Sequence, residues 1–426
     1  MSAILEKPAA ADFLSIVETE LASVPFIDVH THLFQPALGT LGLWGIDELI
    51  TYHYLEAELF RSSPVTPEAY FAMSKREKAD TIWDALFARN TPLSEAARGV
   101  ISVLDALGLP VDDLEEARKF FAAQKLDRHI DHVLKICNVS EIVMTNDPLD
   151  PAEAPLWQKG VDADPRFHPV LRLDRMLNKW DWQGMAAQGY SVDAPASGKS
   201  MDEARRFLAD WCKRMKPVYM AVSLPDTFRF PEDSLRGRLI EHAVLPACRE
   251  FDLPLSLMIG VRYQVNPRLR LAGDACGAAD LRAVERLCAD FPDNRYLISV
   301  LSRENQHELC VYARKFSNLM PFGCWWFLNN PSIVEEITRE RLEMLGATFI
   351  PQHSDARVLE QLIYKWKNTR RTVAPILARS YDLLAADGRT VTRAEIRRDI
   401  EKLFRTNFQG FTGADKTQMK AGHRLS

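Results

Sequence analysis

Eight short apolar runs, each bounded by turn-forming residues, recur along the 426-residue chain, and most are separated by stretches of helical periodicity. They are FIDVH (26–30), EIVMTND (141–147), FHPVLRLD (167–174), PVYMAVSL (217–224), LPLSLMIG (253–260), RYLISVLS (295–302), LMPFGCWWF (319–327) and GATFIPQHSD (346–355). Several are apolar at almost every position, as strands covered on both faces must be. Strand alternating with helix announces a parallel sheet of βα units, and eight repeats is the count of a closed (β/α)8 barrel, a TIM barrel in the α/β class. The helices between the runs include MDEARRFLADWCKRM (201–215), SLRGRLIEHAVLPACREFD (234–252) and DLRAVERLCADF (280–291), each apolar at three-to-four spacing.

The chain divides accordingly. Residues 1–34 form an N-terminal segment and the first barrel strand. Residues 35–140 hold no comparable strand but several helical stretches, such as IDELITYHYLEAELF (46–60) and KREKADTIWDALFA (75–88), and read as a helical insertion after strand 1. Residues 141–413 complete the barrel and add a helical layer over 358–408, and 414–426 is expected to be a loose tail.

A barrel of this kind places its chemistry at the C-terminal ends of its strands. Strand 1 ends in His30-Thr-His32, and residues two apart on a strand face the same way, so both imidazoles can reach one cation. Strand 8 supplies Asp355, with His353 two before it and Arg357 two after. Strands 1 and 8 become neighbours when the barrel closes, so His30, His32 and Asp355 are the expected metal ligands. Two nitrogens and one carboxylate suit a divalent ion with open positions, zinc first. His353 reads as a further ligand, as a partner behind one of the ligands, or as a satisfied histidine near the strand end. Strand 3 ends in LRLD, with Arg172 and Asp174, the insertion carries His53-Tyr54, and strand 7 ends in Trp325-Trp326, a flat wall of the kind sugars stack on.

Other classes are disfavoured. The net charge of −5, with basic residues spread evenly, gives no electrostatic footprint for nucleic acid or acidic membrane. No run approaches 18 uninterrupted apolar residues, and the acidic N-terminal stretch has no signal-peptide core. Seven scattered cysteines without a CxxC pair read as buried thiols of a reducing compartment. A cytoplasmic protein acting on a small molecule is expected, without an organic cofactor, and assembly with further copies of the chain is left open.

With these motifs in order, the chain resembles the uronate isomerases of the amidohydrolase superfamily. The family's D-x-H-x-H-L stands as Asp28-Val-His30-Thr-His32-Leu33, its H-Y as His53-Tyr54, and its F-R-P-D as LRLD with Arg172 and Asp174. Its G-x-x-W-W-F is matched by Gly323, Trp325, Trp326 and Phe327, and its T-D-S-R by Ser354-Asp355-Ala356-Arg357. The resemblance implies a barrel of the metal-dependent hydrolase type and an aldose–ketose isomerase acting on D-glucuronate or D-galacturonate through an enediol. Metal at His30, His32 and Asp355 is implied, with His53, Tyr54, Arg172, Trp326 and Arg357 around the sugar acid. Tyr54 or His53 would transfer the proton, Asp355 would also serve in ring opening, Arg357 would stabilise charge and Arg172 would hold the substrate carboxylate.

The chain also departs from the family. Leu257-Met258-Ile259-Gly260 stands where the family has L-H-I-G, and methionine neither accepts a proton well nor suits a hard cation. VLEQLIYKWKNTRR replaces the usual segment after Arg357. Strands 5 and 6 offer no further histidines, and Lys216 precedes strand 4 at the wrong end, which disfavours a binuclear hydrolase. The rivals are a mononuclear metal-dependent hydrolase or decarboxylase acting on a small carboxylate or lactone, and a barrel that binds a sugar acid without turning it over.

Overall fold

The computed structural model describes residues 12–413. The tail read as loose, and the first part of the N-terminal stretch read as lacking a signal core, lie outside the described residues. The strands are β1 (Phe26–Thr31), β2 (Val139–Asn146), β3 (Phe167–Arg172), β4 (Met220–Pro225), β5 (Leu255–Arg262), β6 (Ala275–Cys276), β7 (Tyr296–Val300) and β8 (Leu319–Pro321). All but β6 lie parallel in the order β1-β2-β3-β4-β5-β7-β8, and β6 folds back antiparallel on β5 as a short hairpin absent from the reading of the sequence.

The eighth apolar run is not a ladder strand. It makes a single bridge from Ile350 to Phe322 and then runs on irregularly. Pro351 has no N–H to continue the ladder, and Asp355 turns into the left-handed region at φ 54°. The run still closes the curled sheet into a TIM-barrel-like cylinder. Ile350 donates to the Pro321 carbonyl at 3.0 Å on one side, while Asp355 donates to the His30 carbonyl at 3.1 Å and His32 to Ala356 at 2.7 Å on the other.

Between β1 and β2 the described chain carries helices joined by loops, with a single bridge from Leu43 to Val358, and the reading of 46–60 as one helix needs correction. It breaks at Thr51-Tyr52 into Ile46–Ile50 and His53–Ser62, which puts His53 at the first position of a new helix. Inside the cylinder, Ile27, Val29, Val143, Val170, Tyr219, Leu297, Phe322 and Ile350 form an apolar plug. Phe408 of the last helix joins it from the N-terminal ends of the strands, where Arg405 bonds the Pro25 carbonyl and Asn407 the Phe349 carbonyl. That plug leaves only the opposite mouth open for chemistry. Six of the seven cysteines are buried, and Cys276 on β6 is exposed.

Gly323, just after β8, takes φ +68°, and a Cβ there would sit 2.0 Å from Cδ2 of the buried His353. Gly323→Ala therefore combines backbone strain with an overlap that no rotamer relieves, and about 3 kcal/mol of lost stability is expected. The urea unfolding midpoint measures it, and an unchanged midpoint would mean that the His353 ring is not held against this turn.

Candidate active site

A β-bulge sets up the mouth of the barrel. Asp28 pairs with Ile142 and Thr31 with Met144, so three steps along β1 oppose two along β2. The extra residue changes which face later side chains take. Ile27 and Val29 enter the plug, and past the bulge His30 and His32 also turn inward. Asp28 points the other way, accepting the Ser354 N–H at 3.0 Å and the Trp366 indole N–H at 2.9 Å. Burial pushes its carboxyl up to about 6 against the pull of these donors.

His30 and His32 converge with Asp355 as expected. Nε2 of His30 lies 3.7 Å and Nε2 of His32 3.3 Å from Oδ1 of Asp355, and the ligand atoms of the three residues fall within 4.8 Å of one another. That Oδ1 is buried and has no hydrogen-bond partner. Burial, the largest influence, holds both imidazoles well below their ordinary pKa, so they are neutral. Neighbouring cationic side chains add to this, Arg357 foremost at His32. Two neutral nitrogens and an orphaned carboxylate oxygen facing one another repel unless a cation lies between them, and these residues are placed to hold a divalent metal ion. His353 stands outside the three. Its ring centre is 5.0 Å from that of His30, and neither of its nitrogens has a partner.

A cavity of about 210 Å³ opens over the triad. His53, Arg172, Trp325, Trp326 and Arg357 line it, together with Asp174 and Met258. Tyr54 does not line it. Its ring packs edge-on against His53 at 4.6 Å and Tyr52 at 4.9 Å, and Tyr52 takes the place on the wall. Burial, then the Arg357 charge, brings the His53 imidazole down to about 3, and its Nε2 is buried without a partner. Arg172 is held by Asp174 through Nε at 2.9 Å and Nη2 at 3.1 Å. The Arg357 guanidinium makes no ion pair with a carboxylate among the described residues.

Trp326 adopts φ 46°, an uncommon conformation for a bulky residue, and its indole N–H is buried and unpartnered. Met258 packs with Val261, Leu301, Trp325 and Trp326, so the strand 5 position carries an apolar wall.

Several wall residues escaped the sequence reading: Tyr52, Thr145, Ser223, Tyr263 and Asp274. Thr145 and Ser223 sit at C-terminal strand ends, a signal that was present and not used. Tyr263 and Asp274 belong to the excursion through β6, whose path over the mouth no periodicity reveals.

The neutral imidazoles carry a consequence for stability. His30, His32, His53 and His353, the last lowered by burial to about 4, all lie below the unfolded value of 6.5. Unfolding in acid therefore takes up protons, and each adds about 1.4 kcal/mol per pH unit to the loss. The stabilisation is complete above pH 6.5 and disappears as pH falls through the folded values. The carboxyls of Asp28, raised by burial to about 6, and of Glu153, raised to about 7, take up protons in the folded state and work the other way. The urea midpoint should therefore fall from pH 6.5 toward 4 by less than the four imidazoles alone would give; a midpoint that rises there would contradict neutral buried rings.

No protein-family model and no curated protein matches the chain. Among solved structures, a uronate isomerase of Bacillus halodurans is 50% identical and superposes with a TM-score of 0.92 over 94% of this chain and 96% of that one. A uronate isomerase of Thermotoga maritima is 16% identical, with a TM-score of 0.75 over 94% and 97% of the two chains. A glucuronate isomerase of Caulobacter crescentus is 15% identical, with a TM-score of 0.75 over 97% of each. At that identity the last two attest to the fold alone.

Proposed function

The chain belongs to the uronate isomerase family, and from that premise we propose that it interconverts an aldose hexuronate, D-glucuronate or D-galacturonate, and the corresponding ketose acid. The observation that carries the reading is the set of features around one cavity: a three-ligand cation site, an arginine outside any ion pair and a neutral, unpartnered imidazole. A sugar acid supplies the matching groups: a carboxylate, adjacent carbonyl and hydroxyl oxygens, and a C2 proton made acidic by the aldehyde.

In the open-chain substrate, Arg172, kept flat by Asp174, offers its remaining Nη1 edge to the carboxylate. Nε2 of His53 takes the proton from C2, the electrons move onto the C1 oxygen, and the enediolate forms. His53 then returns a proton to C1, while the C2 hydroxyl proton passes to O1 and leaves a ketone at C2. The Arg357 charge stabilises the enediolate as it develops. Asp355 would also act on a hydroxyl proton in ring opening. A divalent ion held by His30, His32 and Asp355, zinc on the strength of its donors, would supply Lewis acidity to a substrate oxygen. Trp325, Trp326 and Met258 keep one side of the cavity apolar and dry.

Incubation of the purified chain with each uronate in deuterated water, followed by NMR at C1 and C2, tests this reading. A ketose acid carrying solvent label at C1 is expected. A new acid or carbon dioxide would instead mark a hydrolase or decarboxylase, and unchanged substrate a binding protein.

A further inference from the structure

The two histidines of the triad are each backed by a hydroxyl from the barrel wall, and both backings have the same logic. Nδ1 of His30 lies 3.1 Å from the Tyr219 hydroxyl, which in turn lies 2.8 Å from the Val29 carbonyl. Nδ1 of His32 lies 2.8 Å from the Thr145 hydroxyl, which lies 2.8 Å from the Thr31 carbonyl. A hydroxyl has one proton, and a backbone carbonyl can only accept. Were Tyr219 to donate to His30, its oxygen would face the Val29 carbonyl at 2.8 Å with no proton between two acceptors. A proton sits in both contacts only if the hydroxyl donates to the carbonyl and the imidazole donates Nδ1–H to the hydroxyl. The same holds at Thr145.

We infer that Tyr219 and Thr145 are positioning residues that fix His30 and His32 as Nδ1–H tautomers, committing both Nε2 lone pairs to the cation beside Asp355. The inference rests on the metal-site reading above. It explains why polar side chains occupy these places. Tyr219 is fully buried, its ring set among Phe322 and Phe408 in the otherwise apolar plug. Three consecutive carbonyls at the bulge are satisfied in turn, Val29 by Tyr219, His30 by the Asp355 N–H and Thr31 by Thr145. Backbone closure of the barrel and tautomer choice at the triad are thus one hydrogen-bond system. Without the hydroxyls each imidazole is free to place its proton on Nε2, where it repels a cation.

The test uses Tyr219→Phe and Thr145→Val, with Thr145→Ser as the conservative control. Zinc affinity is read by competition with a chelator, and the tautomers by ¹⁵N NMR of the histidine rings in metal-free protein. Wild type should show Nδ1–H at both rings, and each substitution should weaken zinc binding by roughly 10–100-fold. Thr145→Ser should restore it. Zinc affinity within twofold of wild type in both variants, or Nε2–H at either wild-type ring, would overturn the inference. A variant that fails to fold leaves the ring spectrum of wild type to decide. A wild type that binds no zinc would sink the metal reading alone, because the tautomers are measured without metal.

Discussion

Asp355→Asn is expected to lower kcat by about 10³-fold or more while leaving the protein as stable as before. Most substitutions at a buried carboxylate cost stability because they strand a partner. Here Oδ1 has no partner to strand and faces two neutral imidazoles. Asparagine keeps the shape, tolerates the φ of 54° at this position, and can donate an amide N–H to one of the nitrogens. It cannot, however, neutralise a divalent ion or accept a substrate proton. An unfolding midpoint at or above that of wild type, together with lost turnover and lost zinc binding, is the signature of a residue kept for chemistry. Retained turnover would remove Asp355 from the mechanism.

Arg357→Gln should cost roughly 10²–10³-fold in kcat, the scale of deleting one preorganised stabiliser of developing charge. The guanidinium makes no ion pair with a carboxylate among the described residues, unlike Arg172. The same substitution carries a second, spectroscopic readout. The Arg357 charge is the main influence after burial holding down both His32 and His53, so its removal should raise both imidazole pKa values. A loss of activity without any movement of the histidine titrations would place Arg357 away from these rings and leave its role unexplained.

Much of this site is legible along the chain because the polar residues that matter interrupt apolar runs at strand ends. His30 closes FIDVH with His32 two residues on, Arg172 and Asp174 close the third run, and Asp355 closes the last with Arg357 two residues on. What was hidden depends on register. The bulge between Asp28 and Thr31 makes Val29 and His30 both face inward, which strict alternation forbids. The last run looks like a strand by composition, yet Pro351 and the left-handed Asp355 reduce it to a bridge that still closes the barrel. Tyr52 and Tyr54 are indistinguishable in the sequence TYHY. Only the break at Thr51-Tyr52 decides which of them reaches the cavity. Tyr219 sits in an apolar run as an ordinary core aromatic, and its hydroxyl acquires meaning only from the carbonyl of Val29 and the ring of His30.

The replacement of the family's strand 5 histidine by Met258 has a structural counterpart. The position is filled by an apolar contact with Trp325 and Trp326, and the neutral imidazole on the cavity wall is that of His53, from the insertion.

The arrangement of the triad is tested most directly by anomalous diffraction from crystals grown with zinc. The account predicts one peak at about 2.0–2.2 Å from Nε2 of His30, Nε2 of His32 and Oδ1 of Asp355. A peak elsewhere, or none at the triad when zinc is bound in solution, would contradict it.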